Sequence, residues 1–387
     1  MTVSFQFQVN AGPRDRNECP VGFAMGKDDP RLNGGRLESL SVCDEDGRPV
    51  PVQCCEEEGR YIIRLIVDRL AKGSGKTYSA VVHDRAAAES DPSAGGVEVH
   101  PNRHKLDISI DGRYFTSYVF DPAVAKPYLG AVAGPHGDSF TRLDFETKEH
   151  PHHRSLWLAI GDVNGIDMWN EPEGRHGKQR HLHFSRAAGG PVCATITAHN
   201  VWTSFADKPQ IDETRTLTVY RTPAAGRIVD VDATFTANYG QVEFGATKEA
   251  GPLGIRVTES MKVDNGGTMV NSYGSIGEQE CWGQRAEWCD YYGAVGDYTY
   301  GIAAFDHPDN ENYPTYWHIR NYGLLAPNNF YFAGGKLIKP GEKVNYRYRV
   351  YFHEGDSAVI RIISIRPRLR YCNKQVYSSP GSIRFLC

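Results

Sequence analysis

The sequence predicts an all-β fold, a small β-sandwich followed by a large antiparallel β-sandwich, on three observations. Apolar residues recur at every second position in run after run, the period of a strand with one buried face. The 40 Gly and 22 Pro supply turns at close intervals, which suits short strands better than helices. Only residues 357–365 read as a helix, with Asp356 or Ser357 as the cap.

The elements follow in order. Val3, Phe5, Phe7 and Val9 alternate with polar residues and open the chain as a strand. β-rich runs at 61–67 and 77–82, with the turn signals Asp46-Gly47 and Gly73-Ser74-Gly75 between runs, complete a small sandwich over residues 1–84. Residues 85–96, rich in Ala, Ser, Asp and Gly, read as a linker. The large domain, residues 97–365, starts with Leu106, Ile108 and Ile110 running into Asp111-Gly112 and a second β-rich run at 114–120, a hairpin signature. Alternation returns at Leu217 and Val219, at Val229, Val231, Ala233 and Phe235, and at Val344, Tyr346, Tyr348, Val350 and Phe352. Residues 366–387 carry Arg366, Arg368, Arg370, Lys374 and Arg384 without an acidic residue and read as a solvated or loosely docked tail.

A net charge of −4 gives no field that would draw a polyanion, so nucleic acid is not an expected partner. The expected ligand is a small molecule. The start MTVSFQFQVN lacks the basic and continuous apolar segments of a secretory signal, and no run approaches membrane-spanning length. The nine Cys are odd in number and never form a C-x-x-C pair, which points to reduced thiols and a cytoplasmic setting rather than to a disulfide framework or zinc knuckle. There is no phosphate loop, nucleophile elbow or helical H-E-x-x-H.

Polar and aromatic residues gather in the large domain, which holds all six Trp, whereas no His precedes His83. Aromatic faces beside donors and acceptors suit a sugar, whose C–H faces pack on rings while its hydroxyls need partners. The densest motif is HPHHRSLW, from His150 through His152, His153, Arg154 and Trp157, continuing to Asn164. An extended backbone would point His150 and His152 the same way, a spacing that can seat a divalent metal, although Pro151 argues against a regular central strand and no third ligand stands out. Imidazoles that bind substrate or exchange protons are the competing reading. In TKEAG, leading to Arg256, Glu249 is a candidate base and Lys248 an oxyanion stabiliser, and a rim salt bridge is the structural alternative. Trp282 and Arg285 mark a third segment, and His307, Trp317, His318, Arg320 and Tyr322 a fourth.

These segments, HPHHRSLWLAIGDVNGIDMW, GATKEAGPLGIRV, WGQRAEW with DYYG, and HPDNENYPTYWHIRNYGLLAPNNF, resemble the bacterial PmoA-like family, often labelled "methane oxygenase", over residues 105–356. Methane oxidation in a bilayer does not fit a chain with no membrane-spanning stretch. The resemblance implies a galactose-mutarotase-like supersandwich, a fold that usually handles carbohydrates, and a gene setting among sugar oxidoreductases and isomerases. It brings no settled catalytic set, and the basic tail departs from the family pattern.

The leading expectation is a carbohydrate-active enzyme that cleaves a glycosidic bond by hydrolysis or by elimination from an oxidised (keto) sugar. Glu249 would be the base and His153 or His307 the acid. Arg154, Arg256, Arg285 and Arg320 would bind oxygens beside Asn164, His318 and Tyr322, with Trp157, Trp282 or Trp317 stacking on the ring. A metal at His150 and His152 would instead acidify water or polarise a ketone. The alternatives are a sugar mutarotase or epimerase and a non-catalytic sugar-binding protein. The small domain, without Trp or a convergent polar motif, is expected to be structural and a candidate surface for a homo-oligomer.

Overall fold

The computed structural model describes residues 3–13, 15–29, 32, 40–57, 59–83, 95–143, 149–357 and 382–386. The protein is almost entirely β; helix among the described residues is limited to one turn at Glu278–Cys281 and short 3-10 turns such as Glu259–Met261. Most of the expected linker and of the expected 357–365 helix lies outside the described residues.

Phe5, Phe7 and Val9, on one side of the strand Val3–Asn10, pack on Phe23, Ile63, Val67 and Tyr78 to form a core of their own between a five-stranded and a three-stranded sheet. Within the segment expected as a solvated or loosely docked tail, Ser382–Leu386 pairs in parallel with Val3–Asn10, from Gln6 opposite Ser382 to Asn10 opposite Leu386. An outer strand presents unpaired N–H and C=O groups that a returning segment satisfies.

The large domain stacks two eight-stranded sheets. The first runs Tyr316–Arg320, Leu324–Asn328, Ala250–Arg256, Leu156–Ile160, Tyr128–Leu129, Arg113–Val119, Lys105–Ile110, Val97–Asn102. The second runs Lys178–Ala188, Cys193–Thr203, Pro209–Tyr220, Gly226–Thr236, Lys343–Glu354, Tyr298–Asp306, Trp288–Val295, Thr268–Asn271. Between them lies the main core, to which Leu129, Leu156, Leu158, Ile255, Trp317, Ile319 and Leu325 point from the first sheet and Leu217, Val231, Phe235, Tyr348 and Val350 from the second. Each such side chain contributes about 1.5–3 kcal/mol by leaving water.

Strand alternation then dictates what faces outward. On the second sheet, Cys193, Tyr220, Ile228 and Phe305 form a separate outer cluster, and the small domain abuts this side through Gln53, whose Oε1 accepts from the N–H groups of Val192 (3.1 Å) and Cys193 (2.9 Å). On the first sheet the outward residues are Tyr128, Trp157, Ala159, Leu324 and Ala326, a cluster distinct from the core. Arg256, His318 and Arg320 share that outer face, each one position from an inward Ile255 or Ile319.

Candidate functional site

Residues 150–153 form a turn, with the His153 N–H donating to the His150 carbonyl at 3.0 Å and His150 at φ 49°. The extended backbone considered for HPHH is absent, and with it the shared direction of His150 and His152. Their rings stand nearly perpendicular with centroids 5.8 Å apart. His150 instead stacks on Tyr322 (4.5 Å) and on His153 (5.0 Å), and its Nδ1 lies 3.2 Å from Glu149 Oε1. Among the described residues no group of three His, Cys, Asp or Glu is placed to hold a metal ion, so the divalent-metal expectation at His150 and His152 finds no ligand set here.

The turn lies over the outer face of the first sheet. Trp157, paired in register with Gly254, stacks under His153 at 5.1 Å and meets Trp169 edge-on at 5.2 Å. A Cβ on Gly254 would sit 2.5 Å from Trp157 and 2.9 Å from Trp169, so only glycine admits both indoles. His153 is buried; Arg256 Nη1 lies 3.1 Å from its Nδ1, and Trp169 Nε1 donates to its Nε2 at 3.3 Å. Guanidinium and indole can only donate. Burial, then the neighbouring His152 and Arg256, hold this imidazole well below its ordinary value; a neutral imidazole has one acceptor nitrogen, so it accepts from one of these two donors at a time. The Arg256 Nε and Trp157 Nε1 donors are buried without a protein acceptor.

Charged groups ring this floor. Lys126, 1% exposed, donates to the Trp169 carbonyl at 2.7 Å and pairs with Glu171 Oε1 at 2.7 Å, while Arg154 reaches Glu171 Oε2 at 2.7 Å. On the other side Glu149 bridges Arg256 (3.1 Å) and Lys262 (3.1 Å), and Arg142 pairs with Glu259 at 3.3 Å. Burial works to raise the Glu149 carboxyl, but the Lys262 and Arg256 hydrogen bonds outweigh it and hold it down to about 2. Five cations thus face three carboxylates. His152, half-buried, is pushed down to about 4 by burial and by Lys126, so it stands as a free base at neutral pH. His150 is lowered by burial and Arg256.

Lys248 and Glu249 occupy a turn before the strand Ala250–Arg256, not a strand, and pair with each other at 3.4 Å. Lys248 adds to the lowering of His318 and Glu249 to the raising of Tyr322, each behind burial. Burial raises the Tyr322 phenol to about 12 and lowers His318 to about 3. The Arg256 and Arg320 guanidiniums lie 5.0 and 5.5 Å from the Tyr322 ring, and Arg320 pairs with Glu278 at 3.0 Å. His318 Nδ1 accepts from Trp282 Nε1 at 3.0 Å.

Four expected site residues lie elsewhere. Asn164 closes a turn at φ 56°, its Oδ1 accepting from the Glu243 N–H at 2.8 Å and its Nδ2 donating to Gln210 at 3.1 Å. His307 follows Tyr298–Asp306 in the second sheet, where its Nδ1 accepts from the Asp309 N–H at 3.1 Å. Arg285 donates to the carbonyls of Asn312, Tyr313 and Pro314 and holds that turn. Trp317 points into the core with its Nε1 on the Ala286 carbonyl at 2.9 Å. Sequence reasoning passed over Lys126, Tyr128, Glu149, Glu171 and Lys262. A lone lysine in AVAKPYLG was a usable signal; the glutamates had none.

Residues 105–363 match the model of a "Family of unknown function (DUF6807)". No curated protein matches. Among solved structures the chain is similar to GH36 alpha-galactosidase AgaA from Geobacillus stearothermophilus, with TM-score 0.34, 11% identity, and 62% of this chain and 39% of that one covered. A variant of that enzyme in complex with stachyose gives TM-score 0.34 and 12% identity over 62% of this chain and 39% of that one. The chain therefore spans about two fifths of the length of these structures. Because the family model covers well over half of the sequence, the chain belongs to the DUF6807 family.

Proposed function

We propose that the protein is a carbohydrate-active enzyme that cleaves a glycosidic bond of a keto-bearing sugar by elimination. The observation that carries this reading is His152, a half-exposed imidazole held as the free base with Lys126 beside it, at the edge of an aromatic patch with a cation excess. Proton abstraction next to a ketone needs a base, and it needs fixed positive charge where the electron pair arrives.

In this mechanism His152 takes the proton from the carbon beside the ketone, and the C–H electron pair moves onto the carbonyl oxygen. The cationic side of Lys126 and Arg154 stabilises that enolate. As the carbonyl re-forms, a C=C bond is made, the glycosidic C–O bond breaks, and the Tyr322 phenol protonates the departing oxygen. The products are an unsaturated keto sugar and a free alcohol; His152 and Tyr322 return to their starting states by proton exchange with water. Addition of water to the double bond gives net hydrolysis. A phenol raised to about 12 keeps its proton until a strong base develops beside it, and its ring offers a face for the sugar's C–H side. Reprotonation of the same enolate on its other face would give epimerisation.

The test is turnover of native and 3-keto glycosides by the purified protein, with products read by mass spectrometry. Release of the alcohol from keto substrates only, abolished in His152→Asn, is expected. Release from keto glycosides retained in His152→Asn would overturn the base assignment. An isomer of unchanged mass would establish epimerisation, and sugar binding without turnover a binding protein.

A further inference from the structure

Beyond Arg320 the outer face of the first sheet continues into a group of rings. Tyr316 and His318 lie on the same side of the strand Tyr316–Arg320 as Arg320, two residues apart. Phe332 packs on Tyr316 (4.6 Å), Tyr331 (4.8 Å) and Trp282 (5.9 Å). Phe332 is 43% and Tyr331 41% exposed, and Trp282 and Tyr316 are half-buried.

We infer that this aromatic shelf binds a second carbohydrate ring, the one on the far side of the bond to be cleaved. The inference rests on the proposed function and extends it to substrates of at least two rings.

Three features support it. The shelf is rigid: Trp282 is held by its bond to His318, Asn328 Oδ1 accepts from the N–H groups of Phe330 (3.2 Å) and Tyr331 (2.8 Å), and Gly283, at φ 68°, leaves room for Phe332. A rigid platform binds without an ordering cost. It is also continuous with the histidine turn, since Tyr316 and Arg320 are about 14 Å apart along a strand and Arg320 adjoins the Tyr322 ring. Asn328 Nδ2 further ties the shelf to the Lys248–Glu249 turn through the Lys248 carbonyl at 3.0 Å. Finally, its surround is polar. The exposed Gln284 and Arg285 follow Trp282 closely in sequence, the Arg285 guanidinium lies 5.5 Å from the Tyr316 ring, and Lys248, whose carbonyl is bonded to Asn328, is 58% exposed. Protein interfaces are depleted of lysine at their centres, whereas hydroxylated rings need polar partners.

The experiment measures binding of methyl mono-, di- and trisaccharides of the glucose, galactose and mannose series, native and 3-keto, by titration calorimetry. Wild-type protein, Phe332→Ala and Tyr331→Ala are compared, with light scattering and thermal melts on each. A disaccharide is expected to bind roughly two- to tenfold tighter than its monosaccharide, the range of an aromatic contact. Phe332→Ala should lose that gain and keep monosaccharide affinity. Equal mono- and disaccharide affinity in the wild type overturns the shelf alone. A gain retained in both variants does the same, as does a change of oligomeric state in Phe332→Ala, which would make the shelf an interface between copies. Disaccharide binding lost in Phe332→Ala, with no cleavage of any bound keto disaccharide by the wild type, leaves the shelf standing as a sugar site and overturns the proposed function. No binding by any member overturns both.

Discussion

Glu171 is the residue whose replacement tests the electrostatics of the site most directly. Its two oxygens each take one cation at 2.7 Å, Lys126 at 1% and Arg154 at 9% side-chain exposure. Glu171→Gln keeps the shape and removes the charge, leaving two buried cations short of their shared partner. Removing one side of a buried ion pair costs about 3–5 kcal/mol; the amide oxygen still accepts one bond, which places this variant near about 3 kcal/mol. Lys126→Met, by contrast, leaves Glu171 paired with Arg154 and replaces a buried charge by an apolar side chain of similar length, so its cost should fall below that of Glu171→Gln. All six Trp lie beyond residue 150, so urea unfolding followed by fluorescence reports on the large domain alone. With an m value of about 3 kcal/mol per molar, the midpoint of Glu171→Gln falls by about 1 M. The sign with pH follows from linkage. Burial raises the Glu171 carboxyl, but Lys126 and Arg154 lower it more, below the ordinary 4.5. Its contribution is therefore complete above pH 4.5 and disappears as pH falls through the folded value, where wild type and variant converge. A loss under about 1 kcal/mol at pH 7, or an equal loss in Lys126→Met, would refute the reasoning.

Three further outcomes are expected. His152 titrates near 4 against an ordinary 6.5; the unfolded chain binds the proton first as pH falls, so this residue makes stability decline from pH 6.5 to about 4 and level off below. Ring NMR signals assigned with His152→Asn check it, and titration at 6.5 would contradict the burial argument. Gly254→Ala places a methyl group 2.5 Å from Trp157 and should cost about 1–3 kcal/mol, with altered near-UV circular dichroism as the indoles move; an unchanged spectrum would mean that the contact yields. Asn164→Gly keeps the positive φ but loses two hydrogen bonds, so it should lower stability by about 1–2 kcal/mol and leave sugar affinity unchanged, and weaker sugar binding would return Asn164 to the site.

Much of the β architecture was legible because it is local. Phe5, Phe7 and Val9 declare a buried face by their spacing, and they line a core as that spacing requires. The Asp111-Gly112 signal produces the turn between Lys105–Ile110 and Arg113–Val119. Similarly, the alternation at Val344 to Phe352 becomes part of the strand Lys343–Glu354. The histidine motif could be found by composition, but not its geometry: a turn rather than an extended run puts His150 on Tyr322, more than 150 residues away in sequence. Trp317 and His318 look equally promising in the string, yet alternation on one strand sends the first to the core and the second to the outer face.

The sequence by itself determined the all-β class, the positions of many strands and the segment in which the chemistry gathers, because hydrophobic period and turn residues act between near neighbours. Only the tertiary structure decided which charges meet. Lys126, Glu149, Glu171 and Arg256 come from separate stretches of chain and acquire their roles when burial removes water from around them. The pairing energy of a charge depends on its neighbours in space and on the local dielectric, and neither is written in the order of the residues.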